Sequence, residues 1–196
     1  MLPLDLALFH ALNADAATAP AVVTAARWAS EQLPIAMGGV LAGGLVGGGP
    51  AQRRAVGAVL AAMLLAWISV QLLRYAVPAP RPAQLGLGVQ WIEHAARAGF
   101  PSMHAAGAWA LAGSLQQASA VPRTLALAGW AAALAMAWSR ICLGVHFPSD
   151  VLAGMLIGPL SAWAIHALAL QSRRLSWQRR FSAYWSRQAR PWARHR

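Results

Sequence analysis

Long apolar runs alternate with short polar clusters along this chain. Charge-free stretches cover Leu33 to Gln52, Ala55 to Leu73, Ala105 to Gln117, Thr124 to Trp138 and Val151 to Ser172. A spanning helix needs roughly 17–25 residues, and the third and fourth stretches reach about that length once Pro101 and Arg140 are included. The charges sit at the ends of these runs, as a bilayer requires, since a central Arg or Asp costs about 2.5–3.5 kcal/mol on insertion scales. The pattern predicts an all-α integral membrane protein, a bundle of about five transmembrane helices. Leu4 to Gln32 reads differently, because Asp5, Asp15, Arg27 and Glu31 are mixed with its apolar residues. It is expected to be an N-terminal interfacial helical segment, with a tilted additional span as the alternative. The expected division is therefore 1–32 interfacial segment, 33–172 membrane core and 173–196 basic tail.

Composition fits one membrane domain: 196 residues, 58% hydrophobic and 11% charged, with a mean hydropathy of +0.47. All sixteen basic residues are Arg. A single cysteine, Cys142, allows no internal disulfide, and no Cys/His spacing resembles a zinc site, so neither metal nor cofactor is expected. Cys142 also lacks the phosphate-loop pattern of a thiol phosphatase. The start, Met1-Leu2-Pro3-Leu4-Asp5, lacks the basic region of a cleavable signal peptide, so the apolar segments are expected to persist in the mature protein.

Arg53 and Arg54, Arg123, and the eight arginines from Arg173 to Arg196 all fall on one side once five spans are threaded. The positive-inside rule makes that side cytoplasmic and the opposite side exoplasmic, periplasmic in a bacterium. The tail interleaves its arginines with Trp177, Phe181, Tyr184, Trp185 and Trp192, which suits anionic lipid headgroups. The net charge of +11 is thus a matter of topology, and no nucleic-acid partner is expected. The ten tryptophans suggest an interface belt, and Gly39, Gly43, Gly44 and Gly48 suggest close helix packing. His10, His166 and His195 read as structural or solvated.

Three polar clusters carry the chemistry, each at a predicted helix end. Arg74 and Arg81-Pro82 form Arg-x6-Arg-Pro; Pro101-Ser102-Met103-His104 form Pro-Ser-x-His; Ser139-Arg140, His146 and Asp150 form Ser-Arg-x5-His-x3-Asp. Guanidinium forks at Arg74, Arg81 and Arg140 can grip phosphate oxygens two at a time. Phe100-Pro101-Ser102 precedes an apolar run and reads as a helix start, where Ser102 can cap the helix or bind an anion and the Met103 amide faces outward. His104 lies on that first turn, where a leaving oxygen needs a proton. Asp150 follows His146 by one turn, so that it can fix the imidazole tautomer.

In order and spacing these motifs resemble the signatures of the type 2 phosphatidic acid phosphatase superfamily, membrane lipid phosphate phosphatases related to vanadium haloperoxidases. The resemblance extends over about Leu33 to Gln171. It implies a phosphohistidine at His146, with Asp150 as its partner, His104 as general acid, and Arg74, Arg81, Ser102, Met103 and Arg140 around the phosphate. Two positions depart from the pattern: Met103 stands where Gly or Asp is usual, and Arg74 where Lys is usual. The short loops and the Glu93-His94 to Phe100-Pro101-Ser102 run look most like small bacterial undecaprenyl diphosphate phosphatases, with Glu93 and His94 as possible contacts to a second phosphate. Phosphatidic acid, phosphatidylglycerophosphate and lipid A phosphates are the alternative substrates. A non-catalytic scaffold using the basic tail is the alternative of another class. Oligomeric state is left open by the sequence.

Overall fold

A computed structural model describes residues 3–93 and 97–189. The described chain is all-helical: α1 (Pro3–Leu12), α2 (Pro20–Val46), α3 (Pro50–Ala76), a 3-10 turn at Pro82–Leu85, α4 (Met103–Gln117), α5 (Arg123–Cys142) and α6 (Pro148–Ala189). Proline marks most of the starts. Pro20, Pro50 and Pro148 open α2, α3 and α6, and Pro122 caps α5; a missing N–H costs nothing in a first helical turn. At α3 the Gln52 side chain also accepts the Gly49 N–H at 2.8 Å. The helix ends at Ala76, before Val77-Pro78, where a residue preceding proline avoids the helical region.

α4 is the axial element, packed against α3, α5 and α6. Ala105, Ala106, Ala108, Ala110 and Ala112 are all buried, so the helix is enclosed along most of its length, as its many small apolar residues permit. Its approach to α6 depends on two glycines four residues apart. A Cβ on Gly154 would lie 2.5 Å from the Ser102 carbonyl oxygen, and one on Gly158 2.6 Å from the Ala106 oxygen and the Ala110 nitrogen. Outward faces are apolar: Leu60, Leu64, Trp67 and Leu72 on α3 and Leu152, Leu156, Leu160 and Trp163 on α6 form exposed stripes. Such stripes suit lipid as solvent.

Among the described residues, Pro50–Ala76, Arg123–Cys142 and Pro148–Gln178 are long and apolar enough to cross a membrane by length and composition. α4 has only 15 residues, and α2 carries Arg27 and Glu31 within its length. α6, at 42 residues, measures roughly 63 Å at 1.5 Å per residue, about twice the hydrocarbon thickness.

Two expected boundaries have no counterpart in the backbone. Position 32/33 lies inside α2 and position 172/173 inside α6, both of which continue without a break. The first apolar stretch was expected to continue to Gln52, but α2 ends at Val46 and Gly47-Gly48-Gly49 turns the chain into α3. The N-terminal segment braces the loops at one end of the bundle. Phe9 is fully buried and packs on Phe147 with ring centroids 5.2 Å apart. Asp5 accepts the Ser149 N–H at 2.8 Å and its hydroxyl at 2.6 Å, holding the start of α6. Asn13 donates to the carbonyls of Val89 and Cys142 and accepts the Val89 N–H.

Candidate active site

The three motifs meet at that same end of the bundle. Arg81 comes from the loop after α3, where the Gln84 side chain accepts its backbone N–H at 2.8 Å and starts the 3-10 turn. Its guanidinium is 4% exposed and donates through Nε to the Arg97 carbonyl at 2.9 Å and through Nη2 to the Ala98 carbonyl at 3.4 Å. Nη1 reaches the Val145 carbonyl at 2.8 Å and His146 Nε2 at 3.1 Å. Burial, and secondarily the nearby charge of Arg74, lowers the Arg81 pKa to about 10, with Asp150 opposing. The side chain therefore stays charged at neutral pH.

A guanidinium offers only donors, so His146 Nε2 must accept from Arg81 with its lone pair. The ring proton then resides on Nδ1, 3.2 Å from Asp150 Oδ2. That carboxylate oxygen also accepts the Phe147 N–H at 3.0 Å. His146 and Asp150 are 1% and 3% exposed, and theirs is the single side-chain ion pair among the described residues. The motif's i,i+4 spacing thus produces the orienting pair expected of it, with Nε2 as the basic nitrogen.

Arg140 ends α5 and is 2% exposed. Its Nη1 hydrogen-bonds the Ser30 hydroxyl of α2, while its Nε is buried without a partner. Its carbonyl accepts the N–H groups of both Val145 and His146 at 3.2 Å. The turn between them uses Gly144, at φ +72°, where a Cβ would strike the Val89 carbonyl oxygen at 2.2 Å. Ser102 is fully buried at the N-cap of α4. It does not cap: its N–H binds the Asp150 carbonyl at 2.9 Å, and its hydroxyl is buried without a partner among the described residues.

His104 lines a cleft of about 630 Å³ together with Arg27, Ser30, Glu31, Trp91, Glu93 and Arg140. Arg74 lies elsewhere. From the last turn of α3 its Nε and Nη2 donate to the Pro101 carbonyl at 3.3 and 3.0 Å, tying α3 to the Pro-Ser-x-His loop. Met103 packs against the α3 cluster of Ala62, Ala66 and Val70, turned away from the His104 cleft, so its bulk is accommodated there. Glu93 faces the cleft, whereas His94 lies outside the described residues.

Two buried guanidiniums and one carboxylate leave this site with excess positive charge. An isolated buried charge is costly, and neither Arg81 nor Arg140 has a carboxylate partner among the described residues. An anionic oxygen is the kind of partner that either the Arg140 Nε or the Ser102 hydroxyl, both unpartnered among the described residues, would accept. Sequence reasoning missed Ser30, 110 residues from Arg140, and Arg27, whose Nη2 donates to the Trp91 carbonyl at 2.7 Å. Nothing local distinguishes them from other polar residues on α2.

Residues 55–174 match the family model described as the PAP2 superfamily. The candidate undecaprenyl-diphosphatase YbjG of Escherichia coli (strain K12) is 32% identical over 195 residues, covering 90% of this chain and 91% of the relative. The decaprenylphosphoryl-5-phosphoribose phosphatase of Mycolicibacterium smegmatis is 34% identical over 155 residues, 76% of this chain and 79% of that protein. Among solved structures, Aquifex aeolicus LpxE superposes with a TM-score of 0.68 at 25% identity, over 84% of this chain and 95% of that one. A Bacillus subtilis transmembrane phosphatidylglycerolphosphate phosphatase superposes with a TM-score of 0.65 at 18% identity, over 86% and 85%, a likeness of fold. A helical membrane bundle with this polar cluster is a membrane lipid phosphatase, a phosphoric ester hydrolase. The chain belongs to the PAP2 superfamily.

Proposed function

We propose that the enzyme hydrolyses undecaprenyl diphosphate to undecaprenyl phosphate and inorganic phosphate through a phosphohistidine on His146. The observation that carries this reading is buried Arg81, without a carboxylate ion pair among the described residues, donating to the lone pair of His146 Nε2, with buried Arg140 close enough to feel its charge. Nε2 attacks the terminal phosphorus and the bridging P–O bond breaks. His104 gives its proton to the departing lipid phosphate, and Asp150 stabilises the charge that develops on the imidazole. Water then attacks phosphorus, passing one proton to His104 and keeping the other on the product, and the N–P bond electrons return to Nε2. Arg81, Arg140, Ser102 and the Met103 amide hold the equatorial oxygens, where charge spreads in the transition state, while Arg74 clamps the Pro101 carbonyl behind them. No step requires a metal. The name of the Escherichia coli relative supports the choice of lipid.

A second reading has its own support. Glu31 and Glu93 line the cleft beside His104, and two carboxylates suit a leaving group bearing hydroxyls better than a second phosphate. A monophosphate on a glycerol or sugar, as in phosphatidylglycerophosphate or a lipid A phosphate, would meet that description. Detergent-purified protein should release phosphate from undecaprenyl diphosphate faster than from phosphatidic acid, phosphatidylglycerophosphate or a lipid A phosphate, with EDTA present. Preference for a hydroxyl-bearing monophosphate would transfer the assignment to the second reading. Silence on all four would favour the scaffold.

The site is proposed to face the exterior of a bacterial inner membrane. All five carboxylates lie toward the end of the bundle that holds the site, with Arg27, Arg74, Arg81, Arg97 and Arg140, while Arg53, Arg54, Arg123 and Arg174 carry the opposite end. In a Cys142→Ser background, Ala83→Cys should react with an impermeant thiol reagent on intact spheroplasts and Gln178→Cys should be protected. The reverse pattern would overturn this orientation.

A further inference from the structure

Two separate clefts lie beside the polar cluster, and they differ in charge. The cleft at His104 mixes arginines with Glu31 and Glu93. The second, about 380 Å³, is lined by Trp67, Gln71, Arg74, Tyr75, Arg97, Ala98 and Met103, with no carboxylate. They share no residue, because adjacent positions on the first turn of α4, Met103 and His104, face different ways. Arg74 and Arg97 lie close enough for their like charges to repel. Arg74 spends Nε and Nη2 on Pro101, and neither its Nη1 nor the exposed Arg97 guanidinium has a hydrogen bond among the described residues. Tyr75 and Trp67 are 91% and 50% exposed at the rim, so the cleft opens at the surface of the bundle.

Arg81 joins this second cleft to the candidate nucleophile. Its Nη1 lies 3.1 Å from His146 Nε2 while its Nε and Nη2 bind the carbonyls of Arg97 and Ala98, which line the cleft. A phosphate released from Nε2 is therefore one guanidinium away from Arg97. If His104 protonates the leaving group, the lipid belongs in the His104 cleft, and the carboxylate-free cleft is left for the other product.

We infer that the Arg74–Arg97 cleft is a second anion site that receives inorganic phosphate after hydrolysis, so that lipid and phosphate leave by different routes. This inference rests on the roles of His146 and His104 proposed above. Arg97→Gln is the informative variant, because Arg81 is anchored by the Arg97 carbonyl rather than by its side chain. Equilibrium binding of radiolabelled inorganic phosphate to the detergent-purified protein should weaken about tenfold in Arg97→Gln, the loss of one charge-assisted contact. Arg97→Lys should restore binding to within about threefold, since the requirement is charge. In parallel, the KM for the lipid should change less than about twofold. A raised lipid KM with unaltered phosphate binding would mean that the cleft holds a lipid headgroup instead. Unaltered phosphate binding with unaltered KM would remove the site altogether. Absence of turnover in the wild type would sink the proposed reaction, yet the binding comparison would still decide the cleft.

Discussion

His146→Ala is expected to lower phosphate release by roughly 10⁴-fold or more, the loss typical of removing a covalent nucleophile. No other side chain among the described residues can take its place. The hydroxyl nearest in the motifs, Ser102, is buried with no base shown against it, and His104 is committed to the leaving group in the cleft it shares with Arg140. Attack also requires Arg81 Nη1 to leave Nε2 for a phosphate oxygen, a movement of about one hydrogen bond from its 3.1 Å position. Asp150→Asn should be milder, about 10²–10⁴-fold, because an amide oxygen can still accept from Nδ1 but cannot offset the imidazolium charge. Rapid quench into alkali with a labelled terminal phosphate should trap a base-stable, acid-labile protein adduct in the wild type and none in His146→Ala. Residual turnover within tenfold of wild type in His146→Ala would end the phosphohistidine mechanism.

The chemistry was legible in the sequence because phosphoryl transfer restricts residue types at fixed spacing. His146 and Asp150 sit one turn apart, and the Arg140 carbonyl holds the His146 N–H, so the whole third motif is one local unit. The helix starts after Pro101-Ser102 and at Pro148 were legible, while the start at Pro50 was not, because the charge-free run continues through it to Gln52. What escaped was contact across the sequence. Ser30 reaches Arg140 and Asp5 reaches Ser149 over separations of 110 and 144 residues, and an isolated Ser or Asp gives no sign of its partner. The charges of Asp5, Arg27 and Glu31 suggested contact with the membrane surface. Asp5 holds Ser149 at the start of α6, Arg27 donates to the Trp91 carbonyl, and Glu31 faces the His104 cleft. Arg74 has a similar lesson: its spacing predicted a phosphate donor, and its geometry shows a clamp on Pro101 that also lines the second cleft. Small residues misled most. Of the glycines expected to pack helices, Gly39 and Gly43 face open space, while Gly44 meets Val56 Cγ2 and Gly48 meets Gln52, both on α3.

Gly158→Ala is expected to destabilise the bundle strongly, and Gly43→Ala to leave it unchanged or stabilise it slightly. The two glycines are equally helical, so the difference lies wholly in what a methyl group meets. At Gly158 it would sit 2.6 Å from the Ala106 oxygen and the Ala110 nitrogen and 2.7 Å from Trp109 Cβ, backbone or backbone-proximal atoms that cannot rotate away. At Gly43 nothing lies within 4 Å. Overpacking of this kind costs about 1–3 kcal/mol or more, whereas Gly to Ala in an open helical position gains about 0.5–1 kcal/mol. Separating α4 from α6 would also move Ser102 and His104 away from His146 and Asp150, since the Ser102 N–H to Asp150 carbonyl bond joins the two helices at the site. Activity should accordingly fall further than stability alone predicts. The unfolding temperature of the detergent-solubilised protein should drop by roughly 2–12 °C in Gly158→Ala, and Gly158→Val should give no monodisperse protein. A Gly158→Ala protein as stable and active as wild type would show that α4 and α6 do not pack through this glycine, and the relative placement of the second and third motifs would have to be redrawn.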